Sequence, residues 1–380
     1  MYTYEIMYKA DPQKWNKDLI KSNYATFFQT AEYLAQGSRS GKRFPVFIYV
    51  ADEKGCVCGQ LGITVQKYLT PYSTPYLETF SKAVSKFGHR GTWVSGPIIH
   101  SNDKTARKEI LKIIIKSLEE VAKQNNLIII DGYSPPQDLR VDESYRNEFQ
   151  KNNYQLKEFF TFVTELAKSE DELWNQIKES TRRDVSKAQK RNIVVKELQN
   201  LEDINDYLHL IKDWSGTKGI KIKIAENASQ EYYEYYKSGV EKIFLAYEDS
   251  EPVSSHRLGC FNGIAYSHHI ANSYSKPSSL GGPLLTWHAI SWAKNASMRI
   301  YDFSGGEAPP SDKELDVKYK EQWSSLLAYK RKWGGNEFPY YHFMQIRKPV
   351  GYKLYRALSK IDWLYRDYKK NRYKRPRKKN

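Results

Sequence analysis

The sequence predicts an α/β protein with mixed sheets (α+β in its strand order), built from two similar halves and ended by a basic tail. Three observations carry that expectation. Strand-like runs alternate with helical patterns, an order that a sheet covered by helices satisfies. The same order of elements occurs twice along the chain. The positive charge is gathered at the C-terminal end rather than spread over the body.

The chain has 380 residues, long enough for two or three domains with a real core. A hydrophobic fraction of 40% and an aromatic fraction of 14% exclude a disordered chain. The start, "MYTYEIMYKADPQKW", lacks the apolar run of a signal peptide. No stretch approaches the roughly 18 apolar residues of a membrane-spanning helix. The expectation is a cytoplasmic protein. Cys56, Cys58 and Cys260 suit a reducing compartment and make neither a disulfide framework nor a zinc site. "CVC" would set its two thiols on opposite faces of a strand.

In the first half, "FPVFIYVADEKGCVCGQLGITVQKY" reads as strand, Lys-Gly turn, strand. "SGPIIHSND" follows, then the helix pattern "KTARKEILKIIIKSLEEVAKQNN" and the strand "LIIIDGY". In the second half, "EKIFLAYEDSEPVSSHRLGCFNGIAYSHHIA" reads as strand, turn, strand, with a further turn at Asn262-Gly263. The helix "LGGPLLTWHAISWAKNAS" and the strand "RIYDFSGG" complete it. Gly96-Pro97 is matched with Gly282-Pro283, and Asp131-Gly132 with Asp302 and its glycines. A diverged duplication is expected. Pro283 is assigned to a first helical position, and Leu285, Ala289, Trp292 and Ala293 form one core-facing stripe. His288 lies off that stripe. His268 and His269 are neighbours on a strand and are expected on opposite faces, which disfavours paired metal ligation.

Between the halves, Ser169 and Glu172 form a capping box that starts a helix. Trp174, Ile177, Thr181, Val185 and Ala188 are its buried stripe. Arg183, Lys187, Lys190 and Arg191, flanked by Arg182, form a basic stripe beside it. Such a face is either simply solvated or a phosphate-binding surface.

"RIYDFSGGEAPP" sets one acid, Asp302, between two aromatics and then breaks into Ser304, Gly305 and Gly306. A buried unpaired carboxylate is costly, and small residues at a strand end pack little. Two readings stand: a solvated strand-end turn, or a backbone that something approaches closely.

Together these stretches resemble the FemABX family of peptidoglycan-bridge aminoacyltransferases and its GNAT-like relatives. The opening "ATFFQTAEYL" and the linking helix "LWNQIKESTRRDVSKAQKRNIVV" are similar to the family's. So are "GGPLLTWHAISWAKNASMRIYDFSGG", the most specific stretch, and the closing "LLAYKRKWGGNEFPY". The resemblance implies two GNAT-like domains in tandem, over 1–160 and 161–346, and spacing and charge add an amphipathic helix and disordered basic tail over 347–380. There is no long heptad pattern, so no coiled-coil arm is expected.

The resemblance also implies site residues. Tyr301, Asp302, Phe303 and the turn Ser304, Gly305 and Gly306 would line a substrate channel, with Asp302 orienting nearby donors. Lys330, preceded by Tyr329, would stabilise an oxyanion while the ring excludes water. Lys332 would face the other way in an extended segment and is counted among the substrate-binding candidates. Arg182, Arg183 and Lys187 would grip phosphates of acceptor or donor. Tyr232 or Tyr233, in "EYYEYY", would lie near an acceptor diphosphate, or else belong to an aromatic-rich amphipathic helix.

The implied reaction is transfer of an amino acid from aminoacyl-tRNA to an amine of a cell-wall precursor, without a cofactor or covalent intermediate. Neither Gly-Pro stretch resembles the loop with which GNAT enzymes cradle coenzyme A, which favours the tRNA donor. The rivals are an acyl-CoA-dependent enzyme acting on a sugar or lipid amine, and a non-catalytic module that binds RNA or membrane. The lysine-only stretch before the tyrosine tract, where relatives carry arginine, leaves the acceptor open. A monomer is expected.

The net charge of +16 divides unevenly. From Arg347 on there are 14 basic and two acidic residues, a net of +12, which leaves +4 for residues 1–346. Leu354, Leu358, Ile361 and Tyr365 suggest a docked helix up to about Tyr368, followed by disorder. The tail would contact tRNA phosphates, the favoured choice, or an anionic membrane at its inner face.

Overall fold

Val46–Val50 and Leu127–Ile130 are apolar at almost every position, and both become strands buried on two faces. In the computed structural model, residues 2–36, 38, 41–67, 79, 82–83, 85–217, 228–273, 280–307 and 327–373 are described. They divide into two units: residues 1–159 with 339–363, and residues 160–338 with those from 364 on. The sequence reading placed domain limits after 160 and 346; here Pro339–Trp363 group with unit 1.

Unit 1 runs β1 (Thr3–Met7), α1 (Pro12–Leu19), α2 (Ala31–Gln36), β2 (Arg43–Ala51), β3 (Val57–Gln66), β4 (His89–Trp93), β5 (Ile98–Ile99), α3 (Lys104–Gln124), β6 (Leu127–Tyr133) and α4 (Glu143–Lys151). The strand β7 (Gln155–Glu165) then leads into unit 2. That unit continues with α5 (Glu170–Asn175), α6 (Glu179–Lys190), β8 (Val194–Glu197), α7 (Leu201–Thr217), α8 (Ala228–Tyr236), β9 (Glu241–Glu248), β10 (Glu251–Phe261), β11 (Ile264–Asn272), α9 (Gly281–Asn295) and β12 (Ile300–Glu307). The chain ends with β13 (Asn336–Ile346) and α10 (Pro349–Tyr373).

The two sheets have the same plan. Unit 1 orders its strands β1-β2-β3-β4-β6-β13, and unit 2 orders them β8-β9-β10-β11-β12-β7. Each contains a parallel pair, β4–β6 and β11–β12, and in each a helix joins the two strands. Two helices also separate β1 from β2 and β8 from β9. The duplication is therefore visible in the fold. The Gly-Pro pairs are not equivalent, however: Gly96-Pro97 precedes β5, whereas Gly282-Pro283 lies inside α9.

Local signals explain the helices that support the sheets. Asp103 caps α3 by accepting from the Ala106 N–H at 2.7 Å. That helix buries Ile110, Ile114, Leu118 and Val121 on β2 and β3. In α9, Leu285, Ala289 and Ala293 are buried as the spacing requires, and Trp292 is half-buried against Phe244. Its helix starts two residues before Pro283, not at it.

The parallel pairs end differently. In unit 1, pairing runs to Trp93↔Gly132 and both strands then stop. Trp93 lies flat on Gly132, where a Cβ would sit 2.0 Å from the indole. In unit 2, pairing holds only for Ile264↔Ile300, Ala265↔Tyr301 and Tyr266↔Asp302. Past that point β11 follows β10 as far as Asn272 while β12 continues to Glu307. The two strands diverge.

Candidate active site

Asp302 is the last β12 residue paired with β11, and its side chain is fully buried. Its Oδ1 accepts from Thr161 Oγ1 on β7 and from the Ser304 backbone N–H at 2.8 Å. A short side chain bonding two residues along is a local turn former. Here it holds Ser304 at a φ of 65°, a conformation unusual for a residue with a Cβ. What the carboxylate holds is the backbone of the turn.

Lys330 grips the same turn. Its Nζ donates to Ser304 O at 2.6 Å and Gly305 O at 2.9 Å, with Ser304 Oγ at 3.3 Å. Only 6% of the residue is exposed. Burial pushes its ammonium down to about 8, against the pull of the Asp302 charge in the other direction. In a trans peptide the N–H points opposite to the preceding C=O. With both carbonyls aimed at the ammonium, the N–H bonds of Gly305 and Gly306 point away from it. What surrounds Gly306 lies outside the described residues.

Tyr329 does not screen the ammonium from solvent. Its hydroxyl lies 3.2 Å from Thr286 Oγ1 of α9, and its ring meets Trp333 edge-on. Residues 327–331 are helical rather than extended. Tyr329 and Lys330 therefore point about 100° apart, one into the α9 core and one to the turn. The same geometry leaves Lys332 exposed, away from the turn.

Tyr301 and Phe303 alternate with Asp302 and share the opposite face of the strand. Both are buried in the core under α9, Phe303 stacking on Trp333. They are packed there rather than lining an open channel, because α9 covers that face. Tyr301 OH lies 3.3 Å from His256 Nε2, which in turn is 2.9 Å from Ser267 Oγ at the start of the divergence. Burial holds His256 near 3, so its imidazole is neutral. Thr161, His256, Ser267 and Thr286 escaped the sequence analysis, since their partners lie on other elements and no local spacing marks them.

The basic residues lie on α6. Thr181, Val185 and Ala188 bury the inner stripe of α6, while Arg183, Lys187 and Lys190 are exposed. Arg182 is half-buried and bonds Asn175 Oδ1 at 3.1 Å. Tyr232 and Tyr233 pack α8 onto α7 and β9, Tyr233 donating to Gln199 O at 2.9 Å. That is the amphipathic-helix alternative. The lysine-only stretch before them lies outside the described residues.

His268 and His269 contradict the expected alternation. A bulge opposite Arg257 inserts His268 into β11, so both imidazoles turn to the α7–α8 side. His268 Nδ1 is 3.1 Å from Glu241 Oε1, and His269 meets Trp214 edge-on. Arg257 joins the same carboxylate at 2.7 Å. Among the described residues no group of three or more His, Cys, Asp or Glu could hold a metal.

No protein-family model and no curated protein matches this chain. Solved structures do. FemX aligns at a TM-score of 0.68 and 16% identity, covering 92% of this chain and 99% of its own. L-PGS from Bacillus licheniformis aligns at 0.55 and 12%, covering 94% and 99%. A tandem GNAT protein from the clavulanic acid biosynthesis pathway aligns at 0.51 and 8%, covering 91% and 98%. The repeated strand order, the diverging parallel pair and these alignments agree: the chain has the FemABX-type fold of two GNAT-like domains in tandem.

Proposed function

We propose that the protein is an N-acyltransferase that moves an aminoacyl group from aminoacyl-tRNA to an amine of a cell-envelope precursor. The observation that carries this reading is the buried Lys330 ammonium, locked to the turn where β11 and β12 part. A parallel pair that opens gives an acyl group room beside exposed backbone edges. The likeness to FemX and L-PGS supports the same reaction class.

The chemistry is direct. A neutral acceptor amine attacks the ester carbonyl, a C–N bond forms, and charge collects on the carbonyl oxygen. The C–O bond to the ribose then breaks, and the departing oxygen takes the proton that the amine loses. The Lys330 charge and the aligned N–H dipoles of the turn lower the energy of that oxyanion. Asp302 and Thr161 keep the dipoles in place before the substrate arrives, so little reorganisation accompanies the step.

The test supplies purified protein with tRNA, ATP, the aminoacylating enzymes, labelled amino acids and an envelope extract. Transfer that RNase abolishes supports the reading. Transfer that survives RNase and needs an acyl-CoA would replace the donor, and no transfer under either condition would remove the enzyme assignment.

A further inference from the structure

One face of α10 is exposed among the described residues and lies outside the site proposed above. At 100° per residue, Val350, Leu354, Ile361, Leu364 and Tyr368 fall within about 80° of arc. All five are exposed, by 69%, 39%, 51%, 52% and 59%. The adjoining side is the docked one, where Gly351 and Leu358 are buried and Tyr352 and Tyr355 pack with them on Ile128 and Ile129 of β6. The expected stripe was thus rotated. Leu358 docks, whereas Leu354 and Ile361 point outward. On the other flank of the apolar stripe stand Lys353, Arg356 and Lys360, all exposed. No acidic residue falls within the stripe, and the one acid on the basic flank, Asp367, is half-buried.

We propose that this face of α10 lies on an anionic lipid surface, with the apolar stripe at the headgroup–acyl boundary and the basic flank on lipid phosphates. Charge and apolarity together choose the occupant. A nucleic acid backbone would use the lysines and arginines but offers nothing to five exposed apolar side chains. A second copy of the chain would bring another segment of net charge +12 against this one. A bilayer interface satisfies both halves of the face at once. No described helix is long and apolar enough to cross a membrane, so the helix would lie on the surface.

Sedimentation with vesicles tests this independently of any transfer assay. The probes are phosphatidylcholine alone and a roughly three-to-one mixture of phosphatidylcholine and phosphatidylglycerol. Binding to the mixture is expected, with little to phosphatidylcholine. Leu354→Gln/Ile361→Gln/Leu364→Gln should weaken it about tenfold or more, and Lys353→Gln/Arg356→Gln/Lys360→Gln should do the same. Since all six side chains are exposed, melting temperature should hold and separates lost binding from lost folding. An apolar variant that pellets as well as the unaltered protein overturns the proposal in favour of a purely electrostatic tail. An apolar variant that loses affinity for tRNA instead, or an unaltered protein that pellets with neither vesicle, overturns it as well.

Discussion

Gln29 behaves as a fragment of β-strand. Between the β3 residues paired with β5 and those paired with β4, Gly62 would face a gap. The Gln29 amide fills it. Its Oε1 accepts from the Gly62 N–H at 2.7 Å, and its Nε2 donates to Val94 O at 2.7 Å. Gln29→Ala would orphan these backbone groups in a fully buried place, and we expect a loss of about 2–4 kcal/mol in denaturant unfolding. Lys330 belongs to the same scale. Its ordinary value of 10.5 falls to about 8 in the fold, so the unfolded chain holds the extra proton between those limits. The cost of burying the ammonium is therefore complete below about pH 8 and fades toward 10.5. If the charge serves catalysis, turnover should fall as pH rises through about 8. Lys330→Ala should cut turnover by about 10²–10³-fold at neutral pH, and Lys330→Arg should shift the alkaline limb beyond measurement. An unchanged pH profile in Lys330→Arg would assign the residue to structure alone.

Helix α6 shows how one element can carry two unrelated faces. Its inner side is core, and its outer side presents Arg183, Lys187 and Lys190 to solvent. Glu179 reaches Arg183 only at 3.9 Å with both side chains exposed, so it offsets little of that charge. If the donor is tRNA, replacing the three by Gln should raise its KM and flatten the dependence of log affinity on log salt by about two to three units. Stability should change by less than about 0.5 kcal/mol, because these side chains touch little. A binding curve with an unaltered salt slope would mean a solvated face.

At the scale of the whole molecule, the end of the chain completes its beginning. Unit 1 takes β13 beside β6, with Phe343 stacked on Phe149 at 4.0 Å. Its β6 position equivalent to Asp302 is Asp131, and there the carboxylate is closed off. Arg90 binds it at 2.8 and 2.6 Å and His342 at 3.0 Å. Burial opposes its charge, but Arg90 and His342 together hold the carboxyl below the usual range. Tyr355 of α10 bonds the same Arg90 at 3.2 Å. Ending the chain at residue 348 would uncover Ile128 and Ile129, and we expect unit 1 to lose several kcal/mol in calorimetry or denaturant unfolding. Ending it at residue 373 should leave the melting temperature unchanged. Residues 369–373 are helical where disorder was expected; the tail beyond them lies outside the described residues.

The sequence by itself determined the alternation of strands and helices, the repeat and the buried stripes of α6 and α9, and it singled out Asp302. Each of these is a local pattern: periodicity, a cap, or an acid placed where an apolar residue would pack better. Only the tertiary structure decided what those residues hold. That Lys330 and Asp302 clamp the two sides of one turn depends on a contact across 25 and 26 residues and on Thr161 from a distant strand. A bulge put both imidazoles of the histidine pair on one face, which period-two reasoning cannot anticipate. The rotation of α10 by part of a turn, set by Gly351 closing on Ile128, decided which of its apolar residues dock and which face outward. Spacing specifies which residues share a face of an element. Which face is covered is settled by the neighbours, and those are brought together by the fold.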